Sequence, residues 1–463
     1  MKKNIKRIAL AVTLVIIIFI FRYTWISLPI ISGFNAKQMC TCIFVSGRDK
    51  KSIDTSDLGE FPLNVATNKV SLDDSSVTST FMGLARQKAI YRKGIGCTLI
   101  NDIRESELRS QVYVIPKPST NLDSAAWPMG DKISDTVSRD VDTSKLDAAV
   151  NTVFTEPRPG KKQRTRAVLV VYKNQLIAER YAPGFNKDMK MYGWSMAKSF
   201  TSAMIGILVM QRKLDILKPA PVPEWSDPAD PRHSITIQNL LQQTSGLEFE
   251  ENYSKSSDVT RMLFQKGDMA AYAASHSLAH QPGTVFNYSS GNSNILSRII
   301  RQTVGEKDYP AFPFTKLFYK IGMLHSLMEP DASGTYVGSS YINATARDYA
   351  RFGLLYCNDG IWNGDHILPE GWVRQSTTPF KADPLQHYGY QFWLNGFDKD
   401  HSSQRKDADV PADMFYCDGF GYQMIYIIPS KHLVVVRLGL TLDGSFGENT
   451  FLKSVLASIH RTQ

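Results

Sequence analysis

The stretch GWSMAKSFTSAMIGIL, Gly193 to Leu208, sets Ser195 three residues ahead of Lys198 and follows both with an almost unbroken apolar run. On a helix that spacing places the two side chains on one face, about one turn apart. The residues that follow are mostly apolar or small. The helix is therefore predicted to lie in a core, where an idle ammonium group is costly. An amine placed there has two uses. Neutral, it takes the proton of the serine hydroxyl; charged, it stabilises negative charge developing beside it. Either use needs a lysine whose pKa is depressed by burial or by cationic neighbours.

Working outward, SKLDAAVNTVFTEP (144–157) has helical spacing, and RAVLVVYKNQLIAERYAPG (166–184) reads as two strands around a turn at Lys173–Asn174. Near the other end, GYQMIYIIPSKHLVVVRLGLT (421–441) gives two more strands and ENTFLKSVLASIHRT (448–462) a closing helix. Helices and polar loops fill the middle. The expected fold class is α/β of the α+β type: an antiparallel sheet built from both ends of the chain and flanked by helices. Residues 36–150 read as an accessory lobe, with short strands at CTCIFVSGR (40–48) and GIGCTLI (94–100) and a loop at SLDDSSVTST (71–80). The main domain is expected over 151–463.

The composition is globular, 43% hydrophobic and 21% charged. The net charge of +9 is spread out, and its densest patch, Arg158–Arg166 (RPGKKQRTR), reads as a solvated loop without interleaved aromatics, so no nucleic-acid partner is expected. Five cysteines with no CxxC pair exclude an obvious zinc knuckle; a bridge from Cys40 or Cys42 to Cys97 stays open. Lys2, Lys3, Lys6 and Arg7 precede the apolar run Ile8–Phe21. Residues 1–35 are expected to be a membrane anchor or signal segment, with the anchor favoured if the span extends to Ile31. The basic flank then puts the rest of the chain on the extracytoplasmic side, periplasmic or at the cell surface.

Further motifs follow the helix in order. They are LLQQTSGL (240–247), QPGTVFNYSSGNSNIL (281–296), TARDYARFGLL (345–355), YGYQFWL (388–394) and CDGFGYQMIYIIP (417–429). Together with WSMAKSFTSAMIGILVMQRKLDI (194–216), this set resembles the serine β-lactamase and penicillin-binding-protein superfamily, class C-like, over roughly 150–460. Gln243 stands in the usual His position of the second stretch, and Ser290 where class C β-lactamases have Asn. Cys417-Asp418-Gly419 replaces the Lys-Thr-Gly or His-x-Gly motif. These replacements resemble the 6-aminohexanoate-dimer hydrolase and esterase branch. The resemblance implies a β-lactamase/transpeptidase-like fold with an all-helical lobe, and a serine hydrolase of esters or amides without cofactor or metal.

By the same resemblance, Ser195 is the acylated nucleophile, Lys198 its base or electrostatic helper, and Tyr288 a second proton carrier. Backbone N–H groups of Ser195 and Phe420 would hold the oxyanion. Gly419 and Gly421 let a substrate lie close to the strand. Ser290 either bonds substrate or caps the following helix. Asp418, a carboxylate where relatives carry a cation, either points away or selects a different substrate; Cys417 reads as a buried small hydrophobe. Two alternatives remain: a β-lactamase or D-Ala-D-Ala carboxypeptidase, and a non-catalytic penicillin-recognising sensor. The second has no need of Ser195, Lys198 and Tyr288 together. His276 and His280 (HSLAH) lack the Glu of a zinc-binding HExxH, and no GxSxG elbow, Walker loop or dinucleotide loop is present.

Overall fold

The computed structural model describes residues 2–118, 124–134, 136 and 138–460, which form two units. The first unit comprises Met1–Gln111, Glu250–Asp268 and Asp331–Ser333. Its long helix α1 (Lys2–Cys40) is followed by an antiparallel four-stranded sheet, β1 (Ala66–Ser71), β2 (Ser76–Phe81), β3 (Leu84–Arg92) and β4 (Gly96–Leu99), in that spatial order. A disulfide joins Cys40, at the end of α1, to Cys97 in β4. Helix Asp258–Gln265 packs on α1 at Gly33, where a Cβ would stand 2.8 Å from the carbonyl of Phe264.

Three expectations for this region change. CTCIFVSGR is helical: α1 runs to Cys40, and Thr41–Val45 continues as a wide π-helical turn. A short apolar run does not separate a strand from a buried helix by period alone. The predicted loop SLDDSSVTST is a β-hairpin instead, its polar residues turning at Leu72–Ser75 and its β-branched Val77, Thr78 and Thr80 lying in β2. Among the described residues, no helix is long and apolar enough to cross a membrane, so the expected anchor is not supported. The extension toward Ile31 that would lengthen a span is occupied otherwise, because Leu28 and Ile30 are buried and Ser32 and Asn35 are buried after them.

The second unit comprises Val112–Phe249, Met269–Pro330 and Gly334–Gln463. Its six-stranded antiparallel sheet is made of β5 (Thr165–Tyr172), β6 (Gln175–Tyr181), β7 (Trp393–Leu394), β8 (Phe415–Gly419), β9 (Gln423–Ile428) and β10 (Leu433–Gly439), in the order β7-β8-β9-β10-β5-β6. The β10–β5 pair joins the two ends of the chain, with Val435 opposite Val170. Lys173 and Asn174 both have positive φ, 47° and 63°, the two-residue turn that suits the twist of a hairpin.

Both faces of the sheet are covered, which is why β9 and β10 read as nearly continuous apolar runs. One face carries α2 (Thr143–Thr152) and the closing helix, through Val150, Tyr426, Val435, Leu452 and Val455. The other face meets α5 (Ala346–Cys357) and the turn that leads into α3 (Ala197–Met210), and α3 packs in turn on α4 (Ser290–Val304). Gly353 lets α5 sit against β9 and β10, since a Cβ there would lie 2.5 Å from Val434 and 2.8 Å from Ile425. The closing helix, α6, spans Glu448–Ala457. The antiparallel sheet built from both ends and flanked by helices is the fold class read from the sequence.

Candidate active site

Ser195 sits at the entrance to α3, in a short 3-10 turn Trp194–Met196 that leads into the helix. Two backbone features make the entrance tight. Trp194 holds φ at +48°, a conformation costly for a bulky residue and sustained only by surrounding contacts. Gly193 precedes it, because a Cβ there would stand 2.5 Å from the Tyr349 hydroxyl and 2.6 Å from Ile342. From Ala197 to Leu208 every residue of α3 is buried. Ser195 is half-buried, whereas Lys198 is 1% exposed.

The Lys198 amine has three oxygens around it. Its Nζ lies 3.0 Å from Ser195 Oγ, 3.0 Å from Ser290 Oγ and 2.9 Å from the carbonyl of Ser339. The Tyr288 ring faces the same nitrogen, with its centroid 4.8 Å away. Tyr288 is itself stacked on Trp393, at 5.3 Å, and meets Tyr388 edge-on. Of the two readings left open for Ser290, capping belongs to its neighbour: Ser289 Oγ accepts from the N–H of Asn292 at the start of α4. Ser290 is turned to the lysine instead.

Gln243, in the place where relatives carry His, is fully buried and organises this start of α4. Its Oε1 accepts from the N–H of Ser289 (3.1 Å) and from Asn292 Nδ2 (2.8 Å). Gln391 extends the network, with its Oε1 accepting from Ser293 Oγ (2.6 Å) and its carbonyl from Ser199 Oγ (2.7 Å). Sequence reasoning assigned no role to Gln391 or Ser339. Gln391 lies inside a quoted motif, which is a signal; Ser339 acts through a backbone carbonyl and leaves none.

The third motif closes the site from the sheet. Gly419 lies against the turn before Ser195, where a Cβ would stand 2.1 Å from the carbonyl of Gly193. The Phe420 ring meets Trp194 edge-on at 5.6 Å and is 47% exposed. Strand alternation separates the neighbouring side chains. Cys417 is buried on the side of Ser199, and burial pushes its thiol up to about 12, against a weaker opposing effect of Ser199. It behaves as the buried small hydrophobe expected.

Asp418 lies on the opposite face with Tyr416, opposite Met424 of β9. Burial, then the nearby Glu448, push its carboxyl up to about 7, against Lys406 and Lys198. Glu448 and Lys406 are paired at 2.8 Å, with Tyr416 OH 2.9 Å from the same amine. The structure therefore gathers Ser195, Lys198, Tyr288, Ser290, Gly419 and Phe420, while the Asp418 side chain belongs to the Glu448–Lys406 group. Away from the site, His276 Nδ1 lies 2.9 Å from the carbonyl of Tyr272.

An antiparallel sheet whose inner face receives a buried Ser-x-x-Lys helix defines a known class. The family model described as Beta-lactamase matches residues 152–448, more than half of the chain, and the chain belongs to that family. Among curated proteins it is 27% identical over 263 residues to the 6-aminohexanoate-dimer hydrolase of Paenarthrobacter ureafaciens, covering 52% of this chain and 66% of the relative. It is 25% identical over 268 residues to penicillin-binding protein 4* of Bacillus subtilis (strain 168), covering 55% of this chain and 50% of the relative. Among solved structures, a family VIII carboxylesterase shares the fold with a TM-score of 0.53, 14% identity, and coverage of 71% of this chain and 99% of its own.

The Asp418 carboxyl yields a pH test. Its native pKa, about 7, lies above the ordinary value of 3.8, so the folded state holds the proton more tightly than the unfolded one. Native stability therefore declines between about pH 4 and 7 on this group's account and levels off above. Asp418→Asn removes the dependence. Its melting temperature relative to wild type is expected to rise from pH 5 to pH 8, and a difference constant across that range contradicts the assignment.

Proposed function

We propose that this chain is a serine hydrolase that cleaves esters or amides through an acyl-enzyme formed on Ser195. The observation that carries the reading is the buried Lys198 amine 3.0 Å from Ser195 Oγ. Its neighbours suit a proton acceptor. A neutral amine has two N–H bonds for Ser290 Oγ and the Ser339 carbonyl, and one lone pair for the Ser195 hydroxyl. After taking the proton, the ammonium donates to the same three oxygens, so transfer needs no rearrangement of partners.

In acylation, the Ser195 proton passes to Lys198 as Oγ bonds to the substrate carbonyl carbon. The carbonyl oxygen takes the negative charge and is held by the N–H groups of Ser195 and Phe420. When the bond to the alcohol or amine breaks, the leaving group receives the proton from Lys198, with Tyr288 and Ser290 beside that amine as carriers. Water then attacks the acyl-enzyme, Tyr288 or Lys198 takes its proton, and Ser195 leaves with a proton as the acid is released. Gly419 lets the strand close against Gly193, beside Ser195. The names of the two curated relatives support amide hydrolysis and penicillin recognition as neighbouring activities, and the esterase-like fold supports esters.

We also propose an extracytoplasmic location, supported by the Cys40–Cys97 disulfide, since such bonds persist in oxidising compartments. Protein from cells lysed directly into denaturant with an alkylating reagent is expected to take label on three cysteines, Cys42, Cys357 and Cys417, and on five when reduced first. Five labelled cysteines without reduction contradict the location.

A fluorophosphonate probe is expected to label Ser195, and Ser195→Ala to lose the label and about 10⁴-fold or more in turnover. Lys198→Arg is expected to be nearly as inactive as Lys198→Ala, because arginine does not release its proton near neutral pH. Labelling that survives in the alanine variant removes Ser195 from the mechanism, and an active arginine variant reduces Lys198 to a fixed charge.

Substrate preference is the next test. The motif Cys417-Asp418-Gly419 supplies no cation for the carboxylate of a β-lactam. p-Nitrophenyl butyrate is expected to exceed nitrocefin in kcat/KM by about a hundredfold, or about 2.7 kcal/mol. Comparable values for the two substrates favour a β-lactamase.

A further inference from the structure

Between β8 and β9 the chain turns through Phe420, Gly421 and Tyr422, with φ at +79° for Gly421 and +61° for Tyr422. The carbonyls of this exposed-looking turn are held from inside. The Phe420 carbonyl accepts from Gln423 Nε2 at 3.0 Å. The Gly421 carbonyl accepts from Arg437 Nη1 at 3.1 Å and the Tyr422 carbonyl from the same nitrogen at 2.9 Å. Gln423 is anchored in turn to Gly439, its Oε1 accepting from that N–H at 3.1 Å and its Nε2 donating to that carbonyl.

Arg437 is an unusual anchor. It is fully buried in β10, and no carboxylate lies within ion-pair distance of it among the described residues. Its Nη2 donates to the Gln163 carbonyl (2.7 Å), Thr165 Oγ1 (3.0 Å) and Thr441 Oγ1 (2.7 Å). Burial pulls its pKa down to about 10, which still leaves it charged at neutral pH. A buried cation without an acid partner is expensive. Gly439 supplies the room for it, since a Cβ there would stand 2.4 Å from the guanidinium carbon.

We propose that Arg437 and Gln423 are the positioning residues of the oxyanion site: they fix the Phe420–Tyr422 turn so that the Phe420 N–H is held toward Ser195. This rests on the hydrolase reading of the site. The turn has two left-handed residues, one aromatic contact, of Phe420 with Trp194, and one backbone bond, from the Thr441 N–H to the Gly421 carbonyl at 3.2 Å. The side-chain donors supply the rest of its hold. They grip the three carbonyls that follow the N–H in question and leave that N–H free of the clamp.

The experiment compares wild type with Gln423→Met, Arg437→Met, Arg437→Lys and Gly439→Ala. Two readouts are kcat and KM for p-nitrophenyl butyrate and the Ki of butylboronic acid, whose tetrahedral adduct on serine carries an oxygen in the oxyanion position. The expected result is a fall in kcat of about a hundredfold in the Met variants with KM changed little, because loss of oxyanion stabilisation costs about 10²–10³ in kcat. The boronate Ki rises by the same factor, and Arg437→Lys recovers about tenfold. A merely structural role lowers melting temperature without this matched change in kcat and Ki. Folded variants with wild-type kcat and Ki overturn the inference, as does a fall in kcat with unchanged Ki. If Arg437→Met does not fold, Gln423→Met and Gly439→Ala decide it by the same criteria. Fluorophosphonate labelling of wild type, lost in Ser195→Ala, separates the two readings. Normal labelling with indifferent clamp variants removes this inference alone, and no labelling of wild type removes the hydrolase reading with it.

Discussion

One buried amine sets the terms for the rest of the second unit. Lys198 is enclosed, and an enclosed amine must be surrounded by oxygens or not be there. Its partners come from three places in the chain: the entrance of α3, the start of α4 and the loop at Ser339. Those segments must therefore meet at a distance fixed to a few tenths of an ångström. Gly193, the left-handed Trp194, the Ser289 cap and the Gln243 network are the local means by which they do.

The sheet contributes through its two faces. On β8, Cys417 and Gly419 lie toward α3, and both are as small as that contact demands. Tyr416 and Asp418 lie on the other side, in a group with Lys406 and Glu448 that is polar inside an otherwise apolar layer. Charge is thus kept on the far face while the near face presents backbone and sulfur. A carboxyl held near 7 is only partly an anion at neutral pH, so Asp418 places less than a full negative charge on that face.

Much of this was legible in the sequence where the signal is local. The Lys173–Asn174 hairpin, the strands near both ends and the spacing of Ser195 and Lys198 follow from short-range patterns, and each appears where the pattern put it. What escaped depends on distant partners. Cys40–Val45 has the apolar content of a strand but continues α1, tied by the disulfide to the sheet of that unit. Ser289 and Ser290 are adjacent and identical, and only the geometry of α4 decides which one caps. Arg437 sits in VVVRLGL, where a lone charge reads as a solvent-facing strand residue; its carbonyl partners at Gly421, Tyr422 and Gln163 lie in other segments.

The pairing of β10 with β5 also bears on how the molecule comes into being. The helix that carries Ser195 leaves the ribosome well before the last strands of the sheet, and β5 and β6 have only each other to pair with until β10 is made. A two-stranded ribbon is marginal in water. The long middle of the chain must stay clear of unproductive pairing at that open edge during synthesis, so helix formation there has to outpace strand association. Because the helical segments lie in the chain between the two halves of the sheet, the sheet closes only once its last strands are made.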